Sequence, residues 1–157
     1  MLLCLLPPVS SSPPPDGIGA LSPVEVVERI FRFAELGKIE DAMRLTATFP
    51  AVPREVLVQD YIEFVESRRT TPRTVAHLQL QDVAVVILND LAPTKTRIDL
   101  DPAYLIRIDG AWLVLPKWTK FDRKQFEFDE PTLQRFAKLK AWFKSQKPEL
   151  VELLRTL

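Results

Sequence analysis

Two alternating apolar runs that meet at Asp109-Gly110 constrain this chain more than any other feature. Across residues 96–115, TRIDLDPAYLIRIDGAWLVL, the alternation has the period of a strand, and Asp-Gly is the dipeptide that a two-residue type I′ hairpin favours. A two-residue loop sets Ile108 opposite Ala111, Ile106 opposite Leu113 and Tyr104 opposite Leu115. Those six side chains share one face, which is expected to be the core face. The other face carries Arg107 opposite Trp112 and Leu105 opposite Val114, a mixed surface expected to be half exposed, with the guanidinium over the indole. Thr96, Ile98 and Leu100 keep the parity of Tyr104, so a strand from about 95 to 108 is predicted. Asp101-Pro102 should bulge or bend it, because proline lacks the ladder donor.

Upstream the period is helical. Ser22-Pro23-Val24-Glu25 combines an N-cap serine, a proline at the first helical position and a capping-box glutamate. Val27, Ile30, Phe31 and Ala34 follow on one stripe, and Gly37 supplies the left-handed stop. A second short helix is read from Ile39 to Ala47. A third opens at Pro53, with Leu57, Tyr61, Phe64 and Val65 as its apolar stripe. From Thr74 the period changes to two. Ala76, Leu78 and Leu80 alternate with His77, Gln79 and Gln81, and 83–88 is apolar on both faces and β-branched, as a central strand is. Helices followed by strands predict an α+β domain with helices on an antiparallel sheet.

The tail returns to helix. Pro131 starts a segment to about Gln146, and Pro148 starts another with Leu150, Leu153, Leu154 and Leu157 at i, i+3, i+4 and i+7, so a pair of C-terminal helices is predicted. Between Arg135 and Lys147 the basic residues stand among Phe136, Leu139, Trp142 and Phe143 with no acidic residue.

At 157 residues and 46% hydrophobic, the chain supports one domain with a real core. Its 21 basic and 21 acidic residues cancel, which argues against nucleic acid as a partner for the surface as a whole. Cys4 is the only cysteine and His77 the only histidine, so neither a disulfide framework nor a multi-histidine metal site is encoded, and no cofactor motif is found. Residues 1–21 read as a truncated export signal, MLLCLLPPV, followed by a Ser/Pro-rich linker. That predicts a cell-envelope or secreted protein, with a lipobox-like Leu2-Leu3-Cys4; the alternative is a cytoplasmic protein with an apolar N-terminus.

Three segments together resemble the nuclear transport factor 2-like (NTF2-like) superfamily, and within it small bacterial envelope proteins of the DUF4878 and lumazine-binding-like type. They are VEVVERIFRFAELGKIEDAMRLT, with Gly37 and Ala42 in the helix–glycine–helix step; DVAVVIL as the central strand; and AYLIRIDGAWLVLPKW as the closing hairpin. The likeness covers roughly residues 22–120. It implies a cone-shaped α+β fold over 22–122, three N-terminal helices on a curved antiparallel sheet, with 123–157 as an added helical extension. It also implies a pocket between sheet and helices, lined by Tyr61, Tyr104 and Trp118.

On this reading the chain is a non-enzymatic module that uses its pocket or sheet face for a small apolar ligand or a protein partner, a homodimer through the sheet included. The alternative is a small isomerase or dehydratase in the same pocket. That chemistry needs a carboxylate base beside a tyrosine, and no acidic residue shares the parity of Tyr104 on the central strands. No catalytic residue is assigned, and His77 falls on the opposite parity from Leu78 and Leu80. Lys138, Lys140, Trp142, Lys144 and Lys147 form a further surface, for a partner or an anionic membrane; the plain reading is a packed helix with a solvated lysine face.

Overall fold

The computed structural model describes residues 21–48, 53–66, 72–89, 97–116 and 128–157. The apolar N-terminal stretch, Cys4, Thr96 and Trp118 lie outside them.

Helix α1, Pro23–Glu35, starts where its cap dictates. The Ser22 hydroxyl accepts from the Glu25 N–H at 3.3 Å, and the Glu25 carboxylate accepts from the Ser22 N–H at 2.8 Å. That backbone donor, with the hydroxyl's bond second, holds the Glu25 carboxyl below its usual range. After the last turn Gly37 takes φ 69°, the left-handed conformation that a side chain resists. Helix α2 is shorter than predicted, Ile39–Arg44. Its sequence continues to suit a helix, but Leu45 and Ala47 use their backbone on the sheet. The Val114 N–H donates to Leu45 O at 2.9 Å and the Ala47 N–H donates to Val114 O at 2.8 Å. Helix α3 spans Arg54–Glu66.

Four antiparallel strands follow in the order β1-β2-β3-β4: Arg73–Leu80, Val83–Asn89, Leu100–Ile108 and Ala111–Val114. The β3–β4 turn is the predicted one, with Asp109 at φ 50°, Gly110 at φ 83° and Ile108 paired with Ala111. Gln81-Asp82 makes a second two-residue turn, between β1 and β2, in which Gln81 takes φ 55°. The predicted disturbance at Asp101-Pro102 is absent: β3 keeps unbroken register with β2, and the irregularity falls in β1 between Thr74 and Ala76. The reason is directional. Tyr104 O accepts from Leu115 N–H at 2.8 Å, so the backbone of Tyr104 points toward the β4 side. Pro102 has the same parity, and its missing N–H points where the described chain offers no strand partner.

Both faces of the sheet are covered. Strand β2 is buried at all seven positions. One face carries Ala84, Val86, Leu105 and Trp112, which pack with Val26, Val27 and Ile30 of α1. The Arg107–Trp112 face is therefore not the half-exposed surface the sequence predicts. Leu105 and Trp112 are buried, and only Arg107 is exposed, with its guanidinium 6.0 Å from the indole centroid. The second face carries Val83, Val85, Tyr104, Ile106 and Leu113, and it packs against the C-terminal helix through Phe136 and Leu139.

That helix, α4, is one continuous element, Glu130–Arg155, rather than the predicted pair. Asp129 caps it by accepting from the Thr132 N–H at 2.9 Å. Pro148 stands inside it on the side of the helix opposite Leu139, at an exposed position. There the carbonyl that loses its N–H partner, on Lys144, faces water, so the proline weakens the helix without ending it.

Candidate functional site

The face under α4 is where Tyr61 and Tyr104, two of the sequence-predicted site residues, join one apolar cluster. Tyr61, from α3, and Tyr104, from β3, both pack against the cluster of Met43, Leu57, Val85, Ile106 and Leu115, and Tyr61 also touches the cluster beneath α1. Tyr104 reaches this face because it shares parity with Ile106 and lies opposite Val85 in register. Its ring meets that of Phe136 of α4 edge to face, with centroids 6.3 Å apart and planes at 79°. Phe128 closes on the same Phe136 ring at 5.4 Å.

The Tyr61 hydroxyl is tied into the fold. Tyr61 Oη lies 2.6 Å from Thr46 Oγ1, and Thr46 Oγ1 donates to Ala42 O at 3.0 Å. Since the threonine proton is directed to the carbonyl, Tyr61 is the donor in the first bond. Burial pushes the Tyr61 phenol above its ordinary value, the Thr46 bond partly opposing it, with the charge of Asp60 a smaller raising influence. Burial raises Tyr104 as well. Both are therefore neutral at physiological pH and suited to packing and hydrogen bonding rather than to taking up protons.

The described carboxylates around them are exposed or paired with arginine. Asp60, Glu63 and Asp101 are exposed, Asp99 lies 3.6 Å from Arg97, and Asp82 is held by Arg135. His77 is exposed on β1 opposite Val86, on the α1 side of the sheet and away from Tyr104. Among the described residues no group of three His, Cys, Asp or Glu side chains could hold a metal, and no helix is long and apolar enough to cross a membrane.

Sequence reasoning missed the polar tie at this face. Arg135 Nε lies 2.8 Å from Asp82 Oδ1, and its Nη2 donates to Asp82 Oδ2 at 3.1 Å and to Thr132 Oγ1 at 3.0 Å. The pair joins α4 to the β1–β2 turn across 53 residues of chain, so no local pattern announces it. The basic helix divides. Lys138, Lys140, Lys144 and Lys147 are exposed, whereas Trp142 is half-buried and packs on the core cluster, and Lys147 Nζ stands 5.7 Å from the Phe143 ring.

Fold and site together describe an α+β module with an apolar sheet face under a C-terminal helix. No family model and no curated protein matches the chain. Among solved structures it is similar to the crystal structure of a Campylobacter jejuni protein designated an NTF2-like transpeptidase, with a TM-score of 0.49 and 15% identity, over 61% of this chain and 99% of that one.

Proposed function

We propose that this chain is a non-enzymatic binding module of the nuclear transport factor 2-like type, and that its binding face is the Tyr104 side of the sheet, between α3 and α4. The observation that carries this reading is the pairing of two neutral tyrosines on one apolar cluster with every nearby described carboxylate either exposed or paired to an arginine. Such a face offers apolar and aromatic area, which suits an apolar ligand or an apolar protein segment. An isomerase or dehydratase would need a carboxylate beside Tyr104, and the described acids do not supply one.

Native mass spectrometry of the full chain, purified gently from its own host, tests the ligand. A mass excess that disappears on denaturation is expected. A clean monomer mass would exclude a retained small ligand and leave a protein segment as the occupant.

A further inference from the structure

The helix that covers the Tyr104 face is attached to it in a way that defines a receptor. Among its 26 residues only Thr132, Phe136 and Leu139 are buried, all within the first three turns; beyond Trp142 the helix has half-buried residues such as Leu150 and Leu154, but none that joins either core cluster of the described residues. Among the described elements its packing is onto the strands β1, β2 and β3. Among the described residues the ion pair of Arg135 on Asp82 ties its rotation to the sheet; the two side chains are 20% and 42% exposed at the rim, while the contacting Nε and Oδ1 are buried. Two large apolar anchors three residues apart, preceded by a cation that meets a carboxylate at the rim, is how an amphipathic helix is recognised in a groove. Here the groove and the helix belong to the same chain.

We propose that the Tyr104 face is a helix-receiving groove, that α4 is its intramolecular occupant, and that the partner is an amphipathic helix carrying the pattern Arg-Phe-x-x-Leu of residues 135–139. The inference rests on the binding-face reading above and specifies its partner. Asp82 is the selectivity element: it sits at the β1–β2 turn, where its backbone carbonyl accepts from the Arg107 N–H at 2.7 Å, so the sheet holds its backbone in place. Phe136 supplies the anchor that meets Tyr104, and Leu139 the one that reaches the floor of β2. While α4 is docked, a partner helix must compete with it, and the contact is autoinhibitory.

The test uses the full chain and a fluorescently labelled peptide of residues 128–147. Arg135→Glu in the chain sets a like charge against Asp82 and weakens the internal helix while leaving the groove intact. This variant is expected to bind the peptide at least about tenfold more tightly than the unaltered chain does, since the competing state is depopulated. The Asp82→Arg chain is expected to prefer a peptide carrying the Arg135→Glu change over the unaltered peptide. Equal binding, or none, to the unaltered and Arg135→Glu chains overturns the proposal. A concentration-dependent dimer that the peptide dissolves supports it and makes the partner helix the α4 of a second copy. Should Arg135→Glu not fold, Asp82→Asn serves for the same comparison. If neither variant folds, amide exchange of the unaltered chain decides: α4 opening ahead of β2 upholds the groove, and α4 exchanging only together with β2 refutes it. A bound small molecule found by native mass spectrometry would stand whichever way this experiment falls.

Discussion

The hydrogen on Tyr61 Oη joins α3 to the segment that borders β4, because it is directed to Thr46, whose own hydrogen is directed to Ala42 O. Tyr61→Phe removes one net hydrogen bond and is expected to lower stability by about 1 kcal/mol. Burial gives the residue a pH signature as well. Its folded-state pKa lies above the ordinary value of 10.0, so the folded chain holds this proton more tightly than the unfolded chain does. The stabilisation is complete below the unfolded pKa and is lost as pH rises through the folded one. Tyr104 acts in the same sense. Urea unfolding at about pH 8 and about pH 11 should show the unaltered protein losing more stability on the alkaline side than Tyr61→Phe does. The two tyrosines were legible as residues of the packed stripe and the core-facing parity. The partner of Tyr61 was not, because Thr46 reads as a turn of helix until its neighbours are seen paired with Val114.

Elements whose ends are set by local chemistry appear as predicted. The Ser22–Glu25 box starts α1, and Asp109-Gly110 folds the hairpin with the six predicted side chains on one face, although Ile108, expected in the core, is exposed beside the turn. Elements whose ends depend on distant chain do not. Helix α2 stops early because the β4 edge takes its last residues, and α4 runs through Pro148 because the exposed side of a helix tolerates a lost bond. Pro148→Ala restores the bond to Lys144 and should stabilise the outer half of α4 by up to ~3 kcal/mol. Amide exchange across 149–155 should slow by up to about two decades, with little change in β2. Unchanged exchange there would mean that this half is held by contacts other than its own hydrogen bonds.

For the molecule as a whole, the two covers of the sheet differ in kind. Helix α1 packs with α2 and α3 as well as with the strands, whereas α4 packs on strands. Ile30→Ala, beneath α1, should cost the whole fold about 2–5 kcal/mol. Phe136 is just as buried, and its removal would cost about 3–5 kcal/mol in a fully cooperative core. If α4 docks as a separable unit, that cost is capped at the docking free energy. Phe136→Ala should then release α4 while leaving β2 protected in amide exchange, and a uniform loss of protection over sheet and helix would count against separability.

By itself the sequence determined the Asp109-Gly110 turn, the Ser22 cap, the class of fold and which residues share a strand face, since these follow from backbone preferences and side-chain period over a few neighbours. It placed Tyr61 and Tyr104 on apolar stripes and His77 off them for the same reason. Only the tertiary structure decided what lies over each face. Alternation says that a strand has two faces but not what covers the second, and Leu105 with Trp112 became core only because α1 lies upon them. The same holds for Asp82 and Arg135: each is an ordinary charged residue in its own stretch of chain, and together they form a latch only because the fold brings a turn and a helix within 3 Å.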